Sequence, residues 1–394
     1  MPGRAASRPA GEPRLASVAA LVADASRARM LSYLLGGEWA SAGELARAAS
    51  VGAATASAHL ARLLDAGLTT VRNMAGTPFH LKLRDAVAAG RIAGPRIVTA
   101  GPILETRYTF AAMAEFGQLV ASVDEGIAAV RDQHRAGYDF IKVYNDLDAD
   151  IYDAIVATAR ELGMPVAGHV PFGKGLFGAL AARQDSIEHF RSYDFALDTR
   201  QPAGKERFVG WLHSSPARMR ELAERTAEAG SWNVPTLVIE EALALDVAGT
   251  PPVQPWRDAK SAGQYDLRSV FTAQALEAIA AGLPLRQQLL AEMDQAGARL
   301  LAGSDCPGCG LVPGRALHRE LQLMVQSGLS PLRALRTATA DAAEYLRLQG
   351  EQGQVAEGRR ADLLLVEGDA TTDIAALSAV RGVAVAGRWH PVKP

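Results

Sequence analysis

Four polar side chains stand alone in apolar, strand-length runs of this sequence, and their types are those of metal ligands. Lys142 lies in DFIKVY, His169 in PVAGHV, His189 in SIEHF and Asp305 at the end of RLLAGSD. In an α/β barrel, the loops at the carboxyl ends of the strands build the active site. We therefore expect Lys142, His169, His189 and Asp305 to converge there as a metal site.

The ligand types indicate which ion would bind and what it would do. Imidazole and carboxylate ligands around an open position suit zinc or a similar divalent ion, whose bound water becomes a nucleophile near neutral pH. Lys142 cannot bind a metal as an ammonium group. Burial lowers the pKa of a lysine, however, and the neutral amine can take up carbon dioxide to form an anionic carbamate. The pattern predicts metal-assisted hydrolysis.

Composition limits the classes of protein to which this chain can belong. Its 394 residues can hold one large domain with one or two small ones, and a net charge of -2 gives no strong pull toward nucleic acid or anionic membranes. The 2 cysteines cannot form a disulfide framework. No apolar run approaches the length of a membrane span, and LASVAALVA after Arg14 is too short and Ala-rich for a signal peptide. We expect a cytoplasmic protein that makes no membrane contact.

The sequence from Leu15 to Leu68 reads as helices throughout and follows a lead, 1–14, that is predicted to be disordered. Ser41 and Glu44 form a capping box. The segment 15–68 resembles the ArsR-type winged-helix repressors, and the resemblance implies a recognition helix in TASAHLARLLDAGL. Acidic and basic residues cancel over this segment, so any DNA binding is expected to be weak. The side chains that would face a DNA groove are Thr55, Ser57, His59 and Arg62.

The remainder of the chain carries several spaced motifs of one enzyme superfamily. GLTTVRNMAG, LRDAVAAGRIAGPRIVTAGP, the four ligand strands and GQVAEGRRADLLLVEGD occur in an order that resembles the amidohydrolase superfamily, in its imidazolonepropionase-like and Xaa-Pro or Xaa-Arg dipeptidase-like branches. The resemblance implies an α/β fold: a (β/α)8 TIM-type barrel over 69–346 and a small β-sandwich remnant over 347–394. The predicted barrel strands are TTVRNM, RIVTAG, FIKVY, PVAGHV, SIEHF, NVPTLVI and RLLAGSD.

The amino-acid sequence lacks one barrel strand of that superfamily. Its first strand ends in a His-x-His pair, and none of the 8 histidines here forms such a pair. The helix-turn-helix segment stands where that strand would be, which suggests a fusion that replaced it. The junction has a second interpretation, because LTTVRNM, AGTP and FHLKL could form the β-hairpin wing of a repressor. We favour the barrel strand, since LRDAVAAGRIAGPRI continues the hydrolase pattern without a break.

The resemblance also assigns roles. It implies a carboxylated lysine at Lys142 that bridges two metals, and an Asp305 that takes a proton from the water and passes it to the leaving amine. Without the His-x-His pair, we expect one metal per chain, most simply zinc. Small amides, such as dipeptides and N-acyl amino acids, are the implied substrates. Tyr144 and Arg191 are the candidate contacts for a substrate carboxylate, under a lid formed by residues 190–232.

Three hypotheses follow from the sequence. The first is a metal-dependent amidohydrolase, impaired by the loss of two ligands and expected to form homo-oligomers. The second is a transcriptional regulator whose barrel senses a ligand, and the third is a fusion product with neither activity. Cys306 and Cys309 could suggest a redox pair or another zinc site, but without a second pair they read as loop residues.

Overall fold

The computed structural model describes residues 60–108, 114–200, 207–249, 254–258 and 271–392. The chain divides into two units between Ala61 and Arg62, and only the second is discussed here. The predicted lead and nearly all of the predicted helix-turn-helix segment, with Thr55, Ser57 and His59, lie outside the described residues. Arg62 is exposed on a helical stretch that ends at residue 65. The helix-turn-helix therefore stays a prediction.

The described strands and helices alternate along most of the chain. The strands are β1 (Thr70–Asn73), β2 (Arg96–Thr99), β3 (Ile103–Glu105), β4 (Gly117–Leu119), β5 (Ile141–Val143), β6 (Val166–Gly168), β7 (Ser186–Glu188), β8 (Trp232–Val234), β9 (Leu363–Val366), β10 (Val380–Val385) and β11 (Arg388–Pro391). The helices are α1 (Pro78–Ala88), α2 (Val123–Ala136), α3 (Ala149–Glu161), α4 (Gly175–Ala181), α5 (Tyr193–Leu197), α6 (Pro216–Ala229), α7 (Leu237–Ala248), α8 (Ala273–Gln295), α9 (Arg315–Gln326), α10 (Pro331–Thr337) and α11 (Ala340–Tyr345).

Parallel strands run in the order expected of a barrel wall. β5, β6, β7 and β8 pair side by side in a parallel sheet, and β1 pairs in parallel with β2. Single parallel bridges join Ala100 to Phe140 and Asn233 to Leu300, so they link β2 to β5 and extend the wall beyond β8. The parallel wall with its intervening helices is an α/β fold, consistent with a TIM-type barrel.

Two of the predicted strands are shorter than their apolar sequences suggested. Only Trp232–Val234 of the run ending in NVPTLVI is extended, because Thr236 adopts a left-handed φ of 48° and begins the turn into α7. In RLLAGSD only the bridge at Leu300 remains. β3 and β4, which the sequence did not predict, add an edge to the same sheet next to β5. Apolar runs of this length are ambiguous between strand and helix.

The hairpin interpretation of the junction is wrong. A repressor wing would pair β1 with FHLKL, but β1 pairs in parallel with β2, and FHLKL lies inside α1. Thr77 precedes this helix in extended conformation, and its backbone N–H donates to His80 Nδ1 at 3.1 Å. Pro78 occupies the first helical position, where no backbone hydrogen bond is lost. The local signals at 77–80 therefore start a helix.

β1 forms strand pairs only with β2 among the described residues. On its other side lies a largely apolar cavity of about 600 Å³, lined by Thr70 and Val71 and by Leu301 and Ala302 from the opposite end of the wall. The cavity lies where the sequence predicts the absent first strand. That absence remains a prediction, because residues 1–59 are not described.

The C-terminal part forms a small antiparallel sheet in the order β11-β10-β9. Leu365 and Trp389 are exposed on it. Three strands do not make a sandwich, so the predicted β-sandwich remnant over 347–394 stays a prediction. None of the described helices is long and apolar enough to cross a membrane.

A charged pair inside the wall ties β1 to β7. Arg72 donates to both carboxylate oxygens of Glu188, at 3.0 and 3.1 Å, and to Ser186 Oγ and Tyr345 Oη, each at 2.9 Å. Burial alone would lower the pKa of Arg72, but Glu188 and Tyr345 outweigh it and the pKa is raised. Arg72 Nη2 makes both contacts to Glu188 and Nη1 makes the other two, so the pair satisfies both charges in a site that excludes most water.

We predict that Glu188→Gln lowers the free energy of unfolding by about 3–5 kcal/mol, because it leaves the Arg72 guanidinium without its counter-charge. Urea denaturation would measure the loss. The matched control is Glu344→Gln, which breaks an ion pair to Arg299 whose side chains are 50% and 51% exposed. That change should cost about 1 kcal/mol or less. Equal losses in the two variants would contradict the structural role of the buried pair.

Candidate functional site

The ends of three neighbouring strands position the predicted ligands. Lys142 is the middle residue of β5, while His169 and His189 directly follow β6 and β7. Gly168 has a φ of 133°, and a Cβ there would lie 2.2 Å from Val143 O and 2.9 Å from Lys142 Cδ. Glycine is therefore required before His169, because β6 passes so close to β5 and to the lysine side chain.

Each histidine is oriented by a hydrogen bond at Nδ1. His169 Nδ1 lies 2.8 Å from Asn145 Oδ1, and His189 Nδ1 lies 2.7 Å from Thr236 Oγ1. The Thr236 hydroxyl donates to Pro235 O at 2.8 Å, so it accepts from His189. The amide oxygen of Asn145 can only accept. Both rings therefore carry the proton on Nδ1 and present an unprotonated Nε2.

The two rings lie together and are neutral. Their centroids are 4.9 Å apart at an interplanar angle of 86°. Burial lowers the pKa of both His169 and His189 well below 6.5, and the nearby cations Lys142 and Arg191 lower it further. Neutral imidazoles with a free Nε2 are the form that binds metal ions.

Asp305 approaches this pair from the opposite end of the wall. Its Oδ2 lies 3.6 Å from His189 Nε2, and its side chain is 46% exposed. Desolvation nevertheless raises the pKa of Asp305 to about 6, although Lys142 acts against the rise. The residue has a left-handed φ of 51°, a strained conformation that is common at functional sites.

Lys142 is buried and forms no hydrogen bond to another described residue. Burial lowers its pKa, Glu188 and Asp305 oppose the shift, and Arg72 and Arg191 add to it. A lysine with a lowered pKa has a larger neutral fraction, which is the form that can react with carbon dioxide.

The four predicted ligands thus fit a metal ion in part. The imidazoles are correctly protonated and adjacent, and Asp305 lies beside one of them. Yet in the described ranges no group of three or more His, Cys, Asp or Glu side chains is arranged so that it could hold a metal ion. The donor set is therefore incomplete without a contribution from Lys142, which as a carbamate would supply anionic oxygens.

The candidate substrate contacts lie beside the imidazoles. Tyr144 stacks on His169 with ring centroids 4.0 Å apart. Arg191 follows His189 by two residues, and its buried Nε has no hydrogen-bond partner. Burial raises the pKa of Tyr144, so its hydroxyl keeps its proton and can donate to an anion. Sequence analysis missed Asn145, which directly follows the predicted strand FIKVY, and Thr236, which lies inside the predicted strand NVPTLVI.

Packing corrects the predicted lid, and burial bears on the role of the two cysteines. The proposed lid over 190–232 is largely core where it is described, because Leu197, Phe208 and Trp211 are buried. Burial raises the pKa of Cys306 and Cys309 to about 12, so both are protonated thiols at neutral pH and not reactive thiolates. The interpretation of the two cysteines as loop residues agrees with their position.

A buried carboxyl group, Glu320, holds the turn that positions His189. Glu320 on α9 is fully buried, and its Oε2 accepts from Val238 N at 2.8 Å in the first turn of α7. That turn directly follows Thr236, which holds His189. Burial raises the pKa of Glu320 to about 8, because these backbone hydrogen bonds only partly offset the desolvation.

Comparison with known proteins places this chain in a family. The sequence profile of the amidohydrolase family matches residues 37–390. The match begins inside the segment that we assigned to a helix-turn-helix, so it gives that assignment no support. Adenine deaminase of Mesorhizobium japonicum is 37% identical over 79 residues, which are 20% of this chain and 12% of that enzyme. The chain therefore matches only a small part of that curated relative.

Solved structures resemble the whole fold. A Xaa-Pro dipeptidase with bound methionine superposes with a TM-score of 0.64 at 23% identity, over 90% of this chain and 80% of that one. A putative prolidase from Bifidobacterium longum gives 0.62 at 25% identity, over 85% and 77%. A bottromycin amidohydrolase gives 0.64 at 25% identity, over 85% and 73%.

We predict that Glu320 makes the protein less stable as pH rises. The folded state keeps the proton up to a pKa of about 8, whereas the unfolded chain releases it near 4.5. The stabilising effect is complete below the lower value and is lost as pH rises through the upper one. Between them the free energy of unfolding should fall by up to about 1.4 kcal/mol per pH unit.

Denaturation from pH 5 to 8 would measure this slope. Glu320→Gln keeps an acceptor for Val238 N without a titrating group, and should flatten the dependence. The exposed Glu357→Gln is the control and should keep the parent's slope. If Glu320→Gln and the parent show the same slope, Glu320 does not carry a proton in the folded state.

Proposed function

The chain belongs to the amidohydrolase family, whose members are hydrolases that act on carbon–nitrogen bonds, and on that basis we propose that its own substrates are dipeptides or N-acyl amino acids. The observation that carries the proposal is the pair of neutral imidazoles, His169 and His189, with Nδ1 held and Nε2 free next to the Asp305 carboxyl. The dipeptidase and prolidase folds among the similar structures support the same substrate class.

Enzymes of this family are generally metal-dependent. We propose that His169, His189, Asp305 and carbamylated Lys142 hold one divalent ion, zinc by ligand type. When bound, such an ion polarises the amide carbonyl and lowers the pKa of water. The chain's part is to keep both imidazoles unprotonated and to keep bulk water from Lys142.

Asp305 is the proposed general base and acid. With a pKa of about 6 it is mostly ionised at neutral pH, yet close enough to neutrality to carry a proton transiently. A carboxylate oxygen accepts a proton from the attacking water and later donates it to the leaving nitrogen. Tyr144 and Arg191 bind the substrate carboxylate, since a phenol and a guanidinium both donate hydrogen bonds to such an anion.

A deaminase is the second candidate, because several adenine deaminases share a short stretch with this chain at up to 37% identity. Deamination is also hydrolysis of a carbon–nitrogen bond. The buried arginine beside His189 favours an anionic substrate over adenine. A panel that includes adenine alongside dipeptides distinguishes the two.

We predict that the purified protein binds about one divalent ion per chain. The histidine pair provides one partial site, and the sequence has no His-x-His pair for another. Elemental analysis after dialysis would count the ions. His169→Ala should reduce the count toward zero, whereas His134→Ala, on the surface helix α2, should not change it. Two tightly bound ions per chain would show that other residues replace the missing pair.

We predict that Asp305→Asn abolishes hydrolysis of dipeptides or N-acyl amino acids and leaves the fold intact. Asparagine keeps the shape of aspartate but cannot accept the proton from water. Turnover on a substrate panel with zinc, manganese or cobalt supplied would measure the effect, and thermal unfolding would verify the fold. Full turnover in Asp305→Asn would refute the mechanism.

Lys142→Ala is the companion variant and should lower both metal content and rate. Short-chain carboxylic acids in the buffer should restore part of both, because a free carboxylate can stand in for the carbamate. A parent chain that turns over nothing on this panel would favour the regulator or the inactive fusion instead.

A further inference from the structure

Three guanidinium groups surround one buried aromatic ring next to the candidate site. The Cζ atoms of Arg191, Arg207 and Arg286 lie 5.7, 5.2 and 5.7 Å from the centre of the Phe208 ring. Cation–π contacts of this kind contribute little each, but they hold a guanidinium in a defined place. The proposed reaction uses only Arg191 of the three.

The position of the Phe208 ring follows from a strained backbone conformation at that residue. Phe208 has a left-handed φ of 70°, and its N–H donates to Asp194 Oδ2 at 2.8 Å. A Cβ at Gly210 would lie 1.8 Å from Asp194 O, so the chain can pass Asp194 here only as glycine. The sequence therefore builds this arrangement from several mutually dependent residues, which argues against an accidental clustering of arginines.

The charges of the cluster do not balance within the described residues. Arg286 Nη2 lies 3.2 Å from Glu240 Oε2, and the Asp194 carboxyl accepts a hydrogen bond from the backbone N–H of Phe208. The side chains of Arg191 and Arg207 form no ion pair and no hydrogen bond with any described residue. Three guanidinium groups thus face two carboxylates, Asp194 and Glu240, and neither Arg191 nor Arg207 has a direct ion-pair partner among the described residues.

This imbalance has a measurable electrostatic effect. Burial lowers the pKa of Arg207 to about 10, and the charge of Arg191 is the next largest cause. The charge of Arg191 therefore disfavours the charged form of Arg207 in a place that water reaches poorly. Partly desolvated charges without an ion-pair partner are costly, and perturbed groups of this kind cluster at functional sites.

Both cations also act on the candidate site. Arg191 and Arg207 each lower the pKa of His169 and of His189, and each opposes the rise in the pKa of Tyr144. Such couplings fall off with distance. His189, Arg191 and Arg207 also line one small cavity together, so the two guanidinium groups lie beside the imidazole where the substrate carboxylate is proposed to bind.

We propose that Arg191 and Arg207 each bind one carboxylate of the same substrate, so that the preferred substrates release aspartate or glutamate. This inference rests on the proposed function and narrows it to dipeptides and N-acyl amino acids with an acidic residue at the leaving side. Arg191, with Tyr144, takes the α-carboxylate, and Arg207 takes the side-chain carboxylate. One carboxylate can form a bidentate pair with only one guanidinium, whereas two carboxylates allow such a pair at each.

Two ligands that differ by one charge test the proposal on the full chain. N-acetyl-L-glutamate and N-acetyl-L-glutamine have nearly the same shape, but only the first has a second carboxylate. Calorimetric titration of the parent, and of Asp305→Asn to exclude turnover, should show that the glutamate compound binds about tenfold more tightly or better, as expected for a charged hydrogen-bonded pair.

Arg207→Gln should remove this preference and leave the affinity for N-acetyl-L-glutamine unchanged. The matched control is Arg225→Gln, since Arg225 also covers a phenylalanine, with its Cζ 3.7 Å from the Phe177 ring centre, but is largely exposed. It should keep the parent's preference. Thermal unfolding verifies that each variant folds.

Equal affinities of the parent for the two ligands would overturn this inference without touching the proposed function. A preference that survives in Arg207→Gln would overturn it as well. Failure of both ligands to bind, or binding that Arg191→Gln does not weaken, would instead refute the carboxylate site of the proposed function, and the inference with it. The comparison of ligands on the parent requires no variant to fold.

Discussion

The barrel interior must keep ionisable side chains of both signs away from water, and the rest of the structure depends on how it does so. The ion pair of Arg72 and Glu188 satisfies one charge of each sign and joins β1 to β7. Lys142 lies in the same interior without such a partner, and burial lowers its pKa. Charges in the interior are therefore paired at Arg72 and Glu188, where they stabilise the fold, and unpaired at Lys142, where chemistry is proposed.

Orientation of the histidines is a property of the whole wall. His189 depends on Thr236, which lies in the turn between β8 and α7, and that turn is held by Glu320 from α9. His169 depends on Asn145, two residues beyond β5. Contacts behind the ligands fix which ring nitrogen carries the proton, and so they decide whether a ligand can bind at all.

The arginines extend the same principle toward the substrate. A site that holds Arg191 and Arg207 without direct ion-pair partners among the described residues is suited to anions, because a bound carboxylate would offset the repulsion that Arg191 exerts on Arg207. Phe208 and Asp194 supply the rigid support. Strain and desolvation at this place are consistent with selection for binding at some cost in stability.

Much of the fold was predictable from local patterns. The apolar runs around Lys142, His169 and His189 marked β5, β6 and β7, because buried parallel strands are nearly continuous in hydrophobic residues. The same signal failed at NVPTLVI, where a left-handed Thr236 turns the chain into a helix. A short apolar run does not distinguish the two, and only packing against α9 and α8 selects helix here.

The sequence by itself determined which residue types stand at the strand ends, and hence the family and the class of reaction. Only the tertiary structure decided which nitrogen each histidine presents, that Asp305 approaches His189, and that Arg207 joins Arg191. The physical reason is that strand identity follows from local hydrophobic pattern. Protonation, desolvation and charge balance arise instead between residues distant in the chain, and they exist only once the chain has folded.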